Sequence, residues 1–172
     1  MLTIYEPGIN SDLLVLSWWH HMATSGALEQ TFSASMAPCS AFMSEMRRCA
    51  LVYEADVEGF WFTAWYDVAL AGAYHHAWIR ADRRASKSAL RAMIESLHFG
   101  LERWPVLISV TKQPKVVEQI NRLGFVTLGD IPSIFDGEAA TLSWLDSEHF
   151  YPTVAKYGRL FDSPSLEAAN GR

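Results

Sequence analysis

The basic side chains of this acidic chain gather in one place. Its 172 residues hold 14 Lys and Arg against 19 Asp and Glu, a formal charge of −5. Yet Arg80, Arg83, Arg84, Lys87 and Arg91 sit together, interleaved with Ser86 and Ser88. The residues after Ser86 have helical periodicity, so this loop feeds a helix start. Unpaired backbone amides and the positive end of the helix dipole favour an anion there. The pattern fits a seat for a small anionic ligand. A plainer reading of the same residues is a solvated helix start with Ser86 as its N-cap.

Other reactive side chains are sparser. His75-His76 fall on a predicted strand, where successive residues face opposite sides, so only one of the two can enter a given cleft. His20-His21 lie on a predicted helix with no Cys or carboxylate at ligand spacing, which argues against a metal site. Cys39 and Cys49 lack the paired spacing of a zinc site and read as reduced core thiols. Asp67 could orient an amine or be an exposed strand residue. The net charge disfavours a general nucleic-acid binder, which concentrates Lys and Arg on one face. No apolar run reaches the roughly twenty residues that span a bilayer, and the first residues lack a signal-like pattern. The expectation is a cytoplasmic protein that binds neither nucleic acid nor membrane.

The elements that must position these groups follow from periodicity. Leu2 to Tyr5 reads as a short strand. Ser11 or Asp12 then caps a helix with Leu14, Trp18 and His21 at helical spacing, which ends at Gly26. A second helix runs from Ser35 to Arg48, with Pro38 in its first turn and the stripe Met36, Cys39, Met43, Met46. Three extended segments follow, Ala50–Ala55, Phe60–Leu70 and Ala73–Arg80, separated by Asp56-Val57-Glu58-Gly59 and Ala71-Gly72. Leu90, Met93, Ile94, Leu97, Leu101 and Trp104 form the clearest helical stripe, which Pro105 stops. Then come a strand over Val106–Val110, a helix over Pro114–Leu123 ended by Gly124, and strands over Val126–Leu128 and Ala140–Leu145. The strand–helix–strand unit from Ala73 to Val110 implies one parallel crossover in an otherwise antiparallel sheet.

This order resembles the GNAT superfamily of N-acetyltransferases over roughly Leu2 to Leu145. Two stretches carry the resemblance. Ala77 to Leu90 occupies the place of the family's strand, Arg/Gln-x-x-Gly-x-Gly/Ala loop and helix start. Ile120-Asn121-Arg122-Leu123-Gly124-Phe125 looks like its helix-ending Leu-Gly-Phe signature. The resemblance implies an α/β (α+β) fold, a mixed and mostly antiparallel sheet of about six to seven strands flanked by about four helices. It also implies an acetyl-CoA or other acyl-CoA cofactor. Ala77, Trp78 and Ile79 would pair with the pantetheine arm, and Arg84, Ala85, Ser86, Lys87, Ser88 and Ala89 would hold the pyrophosphate. In register with Arg84, Ala85 and Lys87 stand where the family has glycines, and only Ala89 is a tolerated small residue.

Acyl transfer to an amine needs a base, because an ammonium cannot attack a thioester. Glu54 and His76 are the expected catalytic residues, with His75 the alternative. Many family members place a Tyr four residues before the Gly as the acid for the departing thiolate. Here Ile120 holds that position, so Tyr157, Ser109 or water would have to serve.

Two functions remain open at this point. One is an acyl-CoA-dependent N-acyltransferase acting on an amine of a small molecule or protein. The other is a non-catalytic GNAT-like binding or structural protein, resembling some that phages encode. Residues 1–147 are expected to form the domain. Residues 148–172, which read as irregular, form a tail that packs on it or on a second copy, because Phe150, Tyr151 and Phe161 are too apolar for a free end.

Overall fold

The computed structural model describes residues 3–5, 9–28, 37–54, 58–66, 71–80, 82–84, 86–135 and 137–157. In chain order the elements are β1 (Thr3–Tyr5), α1 (Ile9–Ser25), α2 (Cys39–Met46), β2 (Ala50–Glu54), β3 (Glu58–Tyr66) and β4 (Ala71–Ile79). They continue with α3 (Lys87–Leu101), β5 (Leu107–Thr111), α4 (Pro114–Asn121), β6 (Val126–Phe135), β7 (Glu138–Leu145) and α5 (Ser147–Ala155). The strands form one seven-stranded sheet in the order β1-β2-β3-β4-β5-β7-β6. Every neighbouring pair is antiparallel except β4 with β5. A parallel join needs a crossover, and α3 supplies it.

Strand alternation divides the core in two. On one face, Trp18 and Met22 of α1 and Phe42 and Met46 of α2 bury Leu51 of β2 and Trp78 of β4. On the other, Ile94 and Leu97 of α3, Ile120 of α4 and Phe150 and Val154 of α5 pack over Val52, Ala73, Leu107 and Leu145. Trp18, Phe42 and Phe150 are fully enclosed, and each such side chain contributes roughly 1.5–3 kcal/mol through removal from water. The buried face of α1 is Val15, Trp18 and Met22, so His21, expected on that stripe, is exposed. In α2 the buried positions are Phe42 and Met46, and Cys39 is only half-buried, while Cys49 is in the core. Both cysteines are free thiols.

Several boundaries differ from the sequence reading. Ala71 and Gly72 are strand residues opposite Tyr66 and Trp65, because a glycine paired inside a ladder is no turn. Pro38 precedes α2 instead of sitting in its first turn. β6 runs to Phe135 through Pro132, which an edge strand tolerates because its outer amides need no partner. The stretch after Ser147, which reads as irregular, is helix α5: Asp146 accepts a bond from the His149 amide and caps it. Residues 158–172, and with them Phe161, lie outside the described residues, as do Met36, Asp67 and Ala85.

Candidate active site

The site begins where β4 and β5 part. Their ladder consists of Ala73 opposite Leu107 and Tyr74 opposite Ile108, with the Ala73 amide donating to Val106 O at 3.1 Å. Beyond Tyr74, β4 continues to Ile79 and β5 to Thr111. Each strand is committed to its other neighbour. β4 pairs with β3 from Ala71 to Ile79, and β5 pairs with β7 from Leu107 to Thr111. Among the described residues no ladder pair joins β4 to β5 past Tyr74–Ile108, so the two strands part towards Ala77, Trp78 and Ile79.

α3 starts at the far end of β4. Ser86 is its N-cap, with extended backbone, and its Oγ accepts a bond from the Ala89 amide at 3.1 Å. Of the first amides of the helix, that of Ala89 is therefore occupied, and those of Lys87 and Ser88 have no acceptor among the described residues. Arg83 donates to Ser88 Oγ at 2.7 Å, and Ser86 Oγ lies 3.0 Å from Ser88 Oγ. Arg84 Nε donates to Ile79 O at 3.1 Å, so one backbone carbonyl expected to meet the pantetheine arm is already engaged. Arg80 is tied to Asp82 by two bonds of 2.7 Å, and Arg91 to Glu95 at 2.7 Å. Arg84 and Lys87 are exposed and have no carboxylate partner among the described residues.

The two histidines separate as alternation requires. His75 is buried under α3, its Nε2 3.3 Å from Ser96 Oγ. Burial first, and the neighbouring His76 second, push its pKa down to about 3. His76 stands on the opposite face with Tyr74 and Trp78, half-buried, its ring 6.5 Å from that of Tyr74. Burial lowers its pKa to about 4. His76 is thus a neutral imidazole at physiological pH, and a weaker proton acceptor than an exposed histidine. Trp78 is covered by α1, with the His21 ring stacked on it at 6.0 Å.

Register separates the two expected catalytic residues. Position 54 pairs with 58, and 58 with 79, which puts Glu54 on the face of Ala77 and Ile79. Position 76 pairs with 61, and 61 with 51, which puts His76 on the other face, while the side chain of Glu54 lies outside what the structure describes. The expected acids also divide. Ile120 is buried in the core, and Tyr157 packs against the same core cluster. Ser109 lies one position past the last shared pair and faces the same side as Leu107. Its cross-strand partner Ser143 is buried, with its Oγ 3.4 Å from Thr127 Oγ1, which also bonds Asn121. Tyr74, which sequence reasoning passed over as one aromatic among many, marks the parting and is 39% exposed. The signal for it is an aromatic two positions before His76 on the same face.

Gly124 closes this half of the molecule. Its φ is +101°, and a Cβ there would lie 2.6 Å from His149 O of α5. Leu123 and Phe125 beside it are both core residues.

No protein-family model matches the sequence, and no curated protein matches it. Solved structures do match. RimJ of Mycobacterium smegmatis in complex with CoA-disulfide superposes with a TM-score of 0.68 at 15% identity, over 92% of this chain and 90% of that one. A GCN5-related N-acetyltransferase from Kribbella flavida gives 0.60 at 15% identity, over 84% and 97%. This chain has the GNAT fold. Spermidine N-acetyltransferase from Vibrio cholerae, in complex with CoA and spermine, shares it at a TM-score of 0.62 and 10% identity, over 87% and 97%. The seven-stranded sheet is the mixed, mostly antiparallel one expected of the GNAT fold. Five helices rather than about four flank it among the described residues, the additional one being α5.

Proposed function

We propose that the chain is an acyl-CoA-dependent N-acyltransferase that moves an acetyl group to a primary amine. The observation that carries this reading is the parting of β4 from β5 after Tyr74–Ile108, directed at the start of α3. The residues present fit the group. A diphosphate needs several amides and compensating charge, and the Lys87 and Ser88 amides with the Arg84 and Lys87 side chains provide both. Arg84 would exchange its bond to Ile79 O for phosphate, and the exposed position leaves that side chain free to turn. The backbone of Ala77 to Ile79 would take the pantetheine arm.

Acyl-CoA, when bound, supplies an activated thioester. His76 removes the proton that the attacking amine must lose as its nitrogen bonds the acyl carbon and the carbon–sulfur bond breaks. Because Ile120 cannot supply it, the proton for the departing sulfur would come from Ser109, Tyr157 or water. Calorimetric titration with acetyl-CoA, followed by thiol release with an amine panel, tests the reading. The absence of both heat and thermal shift at millimolar acetyl-CoA would refute it.

A second reading, a GNAT-fold binding module without catalysis, has its own support. Ile120 buries an aliphatic side chain where many such enzymes carry the acid, and Ser86 already caps the Ala89 amide. Turnover above background with any amine excludes it.

A further inference from the structure

The face of the sheet that carries His76 has a composition of its own at the parting. Tyr74 and His76 stand there on β4, Ile108 and Val110 on β5, and Trp144 and Leu142 opposite them on β7. All six keep part of their surface in solvent, and none belongs to either buried cluster. Among the described residues, α1 and α2 cover this face as far as Trp78. The remainder, among the described residues, is an apolar floor that runs to the parting of β4 and β5, aromatic at both ends, with the His149 ring packed edge-on against Trp144 at 4.9 Å.

The charged side chains around it already have polar partners. Arg80 is paired with Asp82 at 2.7 Å, Lys112 with Glu138 at 2.8 Å, and Asp146 with His149 at 2.7 Å. A polycationic acceptor would find no uncommitted carboxylate on this floor among the described residues, and an amino acid's carboxylate no uncommitted cation. Each would lose hydration without compensation. An apolar body gains from the same surroundings, and a flat ring gains further by packing against Tyr74 and Trp144.

We infer that the acceptor is an arylalkylamine, its ring lying on Ile108 and Val110 between Tyr74 and Trp144 and its nitrogen at His76. This rests on the acyltransferase reading above and names the amine. The observations that carry it are the floor's composition, its continuity with the parting of the strands and the pairing of its rim charges.

The test uses the full chain and acetyl-CoA, with initial rates of thiol release for 2-phenylethylamine, spermidine and alanine. The expected result is a kcat/KM for 2-phenylethylamine at least about tenfold above the other two, the scale on which apolar contacts discriminate. Trp144→Ala should raise KM for 2-phenylethylamine about tenfold and leave acetyl-CoA affinity unchanged. Leu142→Glu, which places a carboxylate on the floor, should shift the preference towards spermidine. If wild-type protein binds acetyl-CoA and prefers spermidine or alanine, the arylalkylamine assignment is wrong and the acyltransferase reading stands. If acetyl-CoA does not bind at all, both fall.

Discussion

His75 and His76 are adjacent in sequence and serve opposite faces of the sheet: one sits under α3 with Ser96 Oγ 3.3 Å from its Nε2, the other stands beside Tyr74 at the parting of β4 and β5. Exchanging the two by a one-residue slip of β4 would expose Ala73 and bury Tyr74. The sheet's register therefore fixes which imidazole lies under α3 and which shares a face with Tyr74.

That division predicts unequal mutants. His76→Ala should lower kcat by about a hundredfold or more with acetyl-CoA affinity unchanged, the range for loss of a general base. His75→Ala should act mainly on stability, through the packing and bond to Ser96 that it loses. Because burial holds His76 near pKa 4, the kcat/KM profile for a given amine should show no inflection near 6.5. Steady-state kinetics from pH 5.5 to 9 check this, and a step near 6.5 that disappears in His76→Gln would contradict the neutral imidazole.

The same shifts govern acid stability. Both folded pKa values, about 3 and about 4, lie below the ordinary 6.5 of an unfolded histidine. Between these limits the unfolded chain binds more protons, so stability falls as pH drops from about 6.5 towards 4. Each histidine contributes a slope of up to about 1.4 kcal/mol per pH unit. Denaturant melts at pH 7, 6 and 5 should show this dependence, and His75→Gln should flatten it by about one proton while lowering stability at pH 7.

Much of this arrangement was legible in the sequence, for reasons that particular residues show. The stripe from Leu90 to Trp104 located α3 because apolar spacing alone defines an amphipathic helix, and Ser86 read as its cap. The strand–helix–strand order from Ala73 to Val110 located the one parallel join, β4 with β5. The face on which position 54 falls relative to His76 was not legible, because it depends on the register of β2 and β3, which alternation within one strand cannot supply. α5 escaped notice because Pro152 lies inside it and only Phe150 and Val154 are buried. Ala71-Gly72 looked like a turn since glycine marks both turns and close strand packing.

Gly124 joins two elements that sequence separates. Its positive φ and the 2.6 Å approach of a Cβ to His149 O both oppose any side chain. Gly124→Ala should cost about 2 kcal/mol or more, since strain at a left-handed position and displacement of α5 add. The loss should appear in thermal unfolding of the apo protein. A variant as stable as wild type would show that α5 is not seated on this turn.

The proposed anion seat yields a test of charge. Arg84→Ala with Lys87→Ala should weaken acetyl-CoA binding by about tenfold to a hundredfold and reduce its dependence on salt, as two charge-assisted contacts are removed. S-acetylpantetheine lacks the diphosphate, so its KM should be the same in the double variant and in wild type. Equal weakening of both ligands would mean that the variant distorts the parting of β4 and β5 and does not report on phosphate.

Ser86 puts stability and binding in opposition. Its Oγ caps the Ala89 amide at 3.1 Å, which stabilises α3 and also occupies one of the donors a diphosphate would use. Ser86→Ala removes the cap, and the expected cost is about 1 kcal/mol in unfolding free energy. The same change frees the Ala89 amide beside those of Lys87 and Ser88. Acetyl-CoA affinity should therefore hold or rise although the fold is weakened. Ser86→Gly would relax the backbone as well and lose only a few tenths of a kcal/mol. Parallel unfolding and calorimetric measurements on both variants decide the matter: if affinity falls in step with stability, Ser86 is itself a ligand of the anion, and its hydroxyl turns from Ala89 to phosphate on binding.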